Sequence, residues 1–340
     1  MKMVLAPESL DIAGQRFSLR DLAPEDMADV LELHREVFGS CVDARWFHWK
    51  YVAGQGEGVG LWRDAQLIAF CGGTPRQVLH RGVPARWLQI GDVMVSPAWR
   101  GLFTRKSPFF RVSERFYRSR LGCGRDFSAG FGFPNPRHLR LAVKSGLSHD
   151  AGEVGGLQWQ GDRGAPPFWS RWQWRFESLD PGSSTFDTAV DRCWERMRAG
   201  GHQGAIGVRD ASYVRWRFVE RPDKGYRFMA LRRRWQSEPL GIAVLAQPVG
   251  AAEHLPWLDW VGPRDLLPAA WAMAMWQARR DGATGLSCWA SAAVAAALAP
   301  TRPVPMGPVA SVGVPTASTL AISDVAALGC WWSGGDTDFL

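Results

Sequence analysis

The residues best placed to do chemistry fall in one stretch, Ile90-Gly91-Asp92-Val93-Met94-Val95-Ser96-Pro97-Ala98-Trp99-Arg100-Gly101. Its apolar run reads as a strand ending at Val95, Ser96-Pro97 as a turn, and Arg100-Gly101 as a loop before a helix. Such a strand–turn–helix offers unpaired backbone N–H groups and a positive helix end to a phosphate. Asp92 is the carboxylate on the strand before that loop. A carboxylate there can take the proton of an ammonium, whose nitrogen has no lone pair to attack with until it is lost. The plain alternatives are a capped strand end for Asp92 and a surface turn for Arg100-Gly101. A second stretch, from Gly130-Phe131-Gly132-Phe133-Pro134-Asn135-Pro136 to Gly146-Leu147, again ends a strand in a turn that opens a helix.

Other chemistries find less support. The seven His are isolated, and none stands at a nucleophile-elbow pattern. The six Cys are scattered without a Cys-x-x-Cys pair, so no metal site is expected. They read as buried free thiols in a reducing compartment. The net charge of +7 favours anionic partners, but the basic residues are dispersed and carry no nucleic-acid motif. Nucleic acid is therefore not the expected partner. Arg232-Arg233-Arg234 reads as a solvated hairpin tip, and Asp336-Thr337-Asp338 as a mobile tail. Trp169, Trp172 and Trp174 alternate with polar residues as an edge strand would, with packing between domains the expected use of the rings. Met1–Gln15 has no apolar signal core, and the apolar stretches near Trp271–Trp276 and Ala292–Ala299 are too short to span a membrane. A cytoplasmic setting is expected.

The elements that must position Asp92 read as follows. A strand covers Phe17–Asp21. A helix starts at Pro24 with Glu25 and Asp26 in its first turn and stops at Gly39. A second helix spans Ala44–Val52. Strands follow at Gly60–Trp62, Leu67–Cys71, Arg76–His80 and Ala85–Val95, then a helix at Lys106–Arg120, a strand at Asp126–Phe133 and a helix at Pro136–Ser145. The order predicts an α+β fold with a mixed, mostly antiparallel sheet flanked by helices. Ala299–Pro315 is rich in proline and is expected to be a loop.

A length of 340 residues suggests two domains, and an internal repeat supports that. Asp43-Ala44-Arg45-Trp46-Phe47-His48-Trp49-Lys50-Tyr51-Val52 aligns with Asp210-Ala211-Ser212-Tyr213-Val214-Arg215-Trp216-Arg217-Phe218-Val219 at one offset (210 − 43 = 167). Leu67-Ile68-Ala69-Phe70 then resembles Leu240-Gly241-Ile242-Ala243-Val244. The expected division is 1–160, a linker 161–184 and 185–340, the last opening on a helix at Asp187–Ala199. In the second half, Leu258–Gly262, Pro268–Arg280 and Gly285–Trp289 read as strand, helix and strand.

Together the two chemical stretches resemble the GNAT superfamily of acyl-CoA-dependent N-acyltransferases. Val95-Ser96-Pro97 with Arg100-Gly101 is similar to its strand and pyrophosphate loop, and Asn135 with Gly146-Leu147 to its strand–Asn–helix–Gly-Phe unit. The resemblance covers roughly Phe17–Val154, with a weaker echo in the second half, so it implies two tandem GNAT-like domains of which the second is degenerate. It also implies acetyl-CoA or another acyl-CoA as co-substrate and a small-molecule or peptide amine as acceptor. Met94, Val95, Arg100, Gly101, Leu102, Phe103, Thr104, Arg105 and Asn135 would then line the cofactor, and Asp92 would be the base. Two features depart from the family. Phe103 and Arg105 stand where further loop glycines are expected, and Ala142 stands where many members place a tyrosine general acid. The resemblance leaves two alternatives open: a Fem-type aminoacyltransferase drawing on aminoacyl-tRNA, and a non-catalytic ligand-binding or partner-binding protein.

Overall fold

The computed structural model describes residues 6–39, 41–101, 104–160, 172–201, 204–247, 254–319 and 329–340. The strands are β1 (Glu8–Ile12), β2 (Gln15–Asp21), β3 (Glu57–Arg63), β4 (Gln66–His80), β5 (Val83–Val95), β6 (Ala129–Gly132), β7 (Ser148–Gln160), β8 (Trp174–Ser178), β9 (Ala205–Gly207), β10 (Tyr226–Arg233), β11 (Gly241–Ala246), β12 (His254–Val261), β13 (Gly285–Ala290) and β14 (Val304–Pro315). The helices are α1 (Met27–Phe38), α2 (Ala44–Phe47), α3 (Pro108–Arg120), α4 (Pro136–Lys144), α5 (Phe186–Ala199), α6 (Ala211–Val214), α7 (Leu267–Arg280) and α8 (Ala292–Leu298).

The chain divides into two compact units. The first holds Met1–Gln77, Ala85–Ala151 and Ser311–Val325; the second holds Val78–Pro84, Gly152–Ala310 and Ala326–Leu340. The first unit's sheet runs β1-β2-β3-β4-β5-β6 and ends on the last residues of β14, where Gly313 pairs with Gly132. The second unit's runs β7-β13-β12-β11-β10-β8. Neighbours are antiparallel except β5 with β6 and β12 with β13, which are parallel. The mixed, mostly antiparallel α+β architecture is thus the one the element order predicts. Each sheet closes on a strand that follows the other repeat.

Apolar alternation explains the cores. In the first unit Leu19, Val59, Leu61, Ile68 and Leu88 meet Phe110, Val112 and Phe116 of α3 and Ala142 of α4. In the second, Val190 and Trp194 of α5 and Trp271 and Met273 of α7 meet Val244, Leu255 and Trp260. The repeated segment folds twice in one way. Asp43 accepts the N–H groups of Arg45 and Trp46 and starts α2; Asp210 accepts that of Tyr213 and starts α6. Each helix then widens into a π-helical turn, His48–Ala53 and Arg215–Val219.

Several expectations are corrected. Leu67–Cys71 and Arg76–His80 belong to one strand, β4. The glycines between them serve close approach rather than a turn: a Cβ on Gly72 would lie 2.6 Å from the Tyr51 hydroxyl, and one on Gly73 2.7 Å from the Gln89 carbonyl. The proline-rich run forms β14. Pro305 and Pro308 fall in its exposed first half, and Ala310–Pro315 is buried. Cys41 and Cys123 are exposed; the other four Cys are buried and free, as expected. Trp172 is 59 % exposed and Trp174 opens β8, the outermost strand of its sheet, while Trp169 lies outside the described residues.

Candidate active site

The site starts where two parallel strands part. β5 pairs with β6 from Trp87↔Ala129 to Ile90↔Gly132. Beyond that point β5 runs on to Val95 while β6 ends. Main-chain groups past a parting have no ladder partner on that side and are available to a ligand. Asp92 stands two residues past the last pair, with a left-handed φ of 50° that turns the strand locally.

The Asp92 carboxylate is held by one oxygen. The Tyr51 hydroxyl donates to Oδ2 at 2.6 Å, and the Lys50 ammonium lies 2.6 Å from the same atom. Among the described residues Oδ1 receives no hydrogen bond. The Lys50 side chain is 3 % exposed, and a cation so buried requires a counter-charge; Asp92, at 11 %, supplies it. Both donors come from the π-helical turn after α2, where the wider winding sets Lys50 and Tyr51 side by side against β4 and β5. Tyr51 packs edge-on against Phe70 of β4, with ring centroids 5.8 Å apart. Sequence reasoning missed both residues. Their one signal was a Lys-Tyr pair inside an otherwise aromatic helical turn.

The other predicted residues line the end of β5 and the loop after it. Met94 is buried and Val95 half-buried. Ser96 donates from its backbone to Ile68 O at 2.9 Å and from its hydroxyl to Glu36 of α1 at 2.9 Å, fixing the turn from both sides. Arg100 folds back so that its Nε donates to Val95 O at 2.9 Å. Gly101 takes φ 94°, open to glycine, and a Cβ there would meet nothing within 4 Å. Leu102 and Phe103 lie outside the described residues. Thr104 and Arg105 are exposed. Arg105 lines a groove of about 340 Å³ with Phe110, Tyr117 and Arg118 of α3 and Gly146-Leu147. Asn135 is exposed and caps α4, its Oδ1 accepting the His138 N–H at 2.9 Å. His138, against the Phe109 ring, is pushed below the ordinary imidazole value by burial. Among the described residues no group of three His, Cys, Asp or Glu could hold a metal, and no helix is long and apolar enough to cross a membrane.

The second unit repeats the parting and fills it. β12 pairs with β13 from His254↔Gly285 to Trp257↔Cys288, and Asp259 stands two residues further on. Here the chain's own last residues take the space. Ser333 bridges to Ala290 at the end of β13, and Gly335 packs against the Asp259 carboxylate so closely that a Cβ would lie 2.5 Å from Oδ2. Arg209 Nε donates to Asp259 at 2.9 and 3.1 Å, its Nη2 reaches Asp336 at 2.7 Å, and the Ser333 hydroxyl donates to Asp259 at 2.8 Å. Arg209, Asp259 and Asp336 are fully buried. Burial raises the Asp259 pKa against the opposing pull of Arg209. Arg217 donates to the main-chain oxygens of Gly335 and Thr337, and Arg221 and Tyr226 to that of Leu340. The expected mobile tail at Asp336-Thr337-Asp338 is therefore corrected. A buried arginine with two carboxylates at salt-bridge distance holds it.

Residues 18–106, spanning β2 to the loop after β5, match the family model described as an acetyltransferase (GNAT) domain. Residues 18–106 thus carry a GNAT acetyltransferase domain. The chain shares its fold with a conserved Enterococcus faecalis protein of unknown function, a probable N-acyltransferase, at a TM-score of 0.66 and 12 % identity over 90 % of this chain and 74 % of that one. It is also similar to a GCN5-related N-acetyltransferase from Anabaena variabilis (TM-score 0.65, 14 % identity, 88 % of this chain and 72 % of that one). A second such protein, from Kribbella flavida, matches at 0.56 and 15 % over 80 % of this chain and 63 % of that chain's length. No curated protein matches the sequence. Ala142 is buried in the first core, and the Tyr51 hydroxyl is bonded to Asp92.

Proposed function

We propose that the protein is an N-acyltransferase, moving an acyl group from acetyl-CoA or another acyl-CoA to the primary amine of a small-molecule or peptide acceptor. The observation that supports it is the parting of β5 and β6, which no described strand fills, with Asp92 two residues beyond it. A thioester laid along the unpaired edge of β5 would meet main-chain groups near Met94 and Val95, which can bind its carbonyl oxygen as negative charge develops. Gly101, in a conformation that leaves its backbone uncovered, suits the approach of a pyrophosphate, with Arg100 and Arg105 supplying positive charge.

Asp92 Oδ1 is the base. The amine nitrogen attacks the thioester carbon, a C–N bond forms, and the C–S bond breaks with its electron pair on sulfur. Asp92 takes the proton the nitrogen must lose. One proton ends on the thiolate, and where the acceptor arrives as an ammonium a second is released to solvent. The second unit, its equivalent parting filled, serves as scaffold or acceptor-binding surface. The setting that supplies the co-substrate is the cytoplasm.

The test is calorimetry of acetyl-CoA against the purified protein, followed by thiol detection of CoA release with a panel of primary amines. Micromolar binding with amine-dependent release is expected. Neither binding nor release would remove the reading and favour an aminoacyl-tRNA substrate or a non-catalytic role.

A further inference from the structure

The two copies of the repeat act as controls for each other. Lys50, Tyr51 and Asp92 in the first unit correspond, at the single offset of 167 residues, to Arg217, Phe218 and Asp259 in the second. All six occupy matching places: the π-helical turn, and the second residue past the parallel pairing. In the open copy Tyr51 and Lys50 bind the carboxylate. In the filled copy Phe218 has no hydroxyl to donate, Arg217 serves the tail, and Arg209 takes the aspartate. The phenolic oxygen thus goes with the open site. Gly72 leaves it room, since a Cβ there would come within 2.6 Å of it.

We infer that Tyr51 and Lys50 are positioning residues. They clamp Oδ2 of Asp92 and hold its left-handed backbone so that Oδ1 faces the reacting amine. This rests on the acyltransferase reading above. The phenol adds a directional bond, which fixes the carboxylate plane. The ammonium adds a charge, which keeps the carboxylate at the buried edge of the site. Neither group needs to reach the substrate. Misplacing a reacting group by about 1 Å costs on the order of a hundredfold in rate, so loss of the clamp reads out in kcat rather than in binding.

Tyr51→Phe is the decisive variant, because Phe218 shows that the turn packs with phenylalanine at this position. With acetyl-CoA as donor and n-butylamine as acceptor, kcat should fall about ten- to a hundredfold while KM for acetyl-CoA stays within about twofold. Lys50→Arg, which keeps the charge, should retain more of kcat than Lys50→Met. Wild-type kcat and KM in Tyr51→Phe, or equal losses in the two Lys50 variants, would overturn the inference and leave the acyltransferase reading standing. A wild-type protein that releases no CoA would overturn that reading, and the inference with it.

Discussion

Asp92 and Asp259 stand 167 residues apart, each two residues past the point where a parallel strand pair separates. Among the described residues, one stands at a parting that no strand fills and has a carboxylate oxygen without a bond. The other is sealed under Gly335 and bonded to Arg209, Ser333 and its own neighbour's N–H. One architectural position is therefore a candidate base in one copy and a structural anchor in the other. What differs is the chain that occupies the parting.

Asp92→Asn keeps the shape and the bond from Tyr51 but removes the base. Acyl transfer should fall about a hundredfold or more, with acetyl-CoA affinity within about twofold. Turnover unchanged across the pH range would assign proton removal to another group.

Gly101→Glu puts a side chain and a negative charge where the pyrophosphate is proposed to lie, on a backbone that strains any L-residue. Acetyl-CoA affinity should drop tenfold or more, about 1.4 kcal/mol. Gly101→Ala meets no neighbour and bears only the strain, so it should bind more tightly than the glutamate variant. Equal affinities for wild type and Gly101→Glu in calorimetry would move the cofactor elsewhere.

Asp336→Ala leaves Arg209 buried with one of its two carboxylates and opens the filled parting. Removing one partner of such a network costs about 3–5 kcal/mol. A lower thermal midpoint, with the second unit melting first by limited proteolysis, is the expected result; an unchanged midpoint would mean that the tail adds nothing to stability.

Thiol reactivity should separate two classes. Cys41 and Cys123 are exposed, whereas Cys71, Cys193, Cys288 and Cys330 are buried. Burial also pushes the Cys193 thiol up to about 12, and Cys71 and Cys288 higher still, so little thiolate forms there. A disulfide reagent should label two sites quickly in the native protein and the remaining four only after unfolding.

His138 ties stability to pH. Its folded value lies below the ordinary 6.5 because burial disfavours the charged ring. Above 6.5 both folded and unfolded forms are neutral and the contribution is complete. As the pH falls below 6.5 the unfolded chain binds the proton first, and stability is lost down through the folded value. Urea midpoints at pH 7.5 and 5 should therefore fall less in His138→Gln than in wild type; identical drops would exclude this histidine as the cause.

Much of this was legible along the chain because the signals are local. Asp43 and Asp210 announce their helices by capping, Gly39 stops α1 with a left-handed φ of 67°, and alternation marks β5 up to the Ser96-Pro97 turn. The α+β order and the turn at Ser96-Pro97 follow from neighbours within a few residues, and the repeat from the likeness of two segments 167 residues apart. Tertiary structure alone decided the rest. Tyr51 and Asp92 are 41 residues apart, and only the packing of a π-helical turn on β4 and β5 brings the hydroxyl to the carboxylate. Arg209 and Asp336 are 127 apart, and a tail expected to be mobile is buried because a charge deep in the second unit requires a partner. Hydrogen bonds along an element are written in its own residues. Which element covers which edge depends on the whole fold, and among the described residues that choice fills the second parting and not the first.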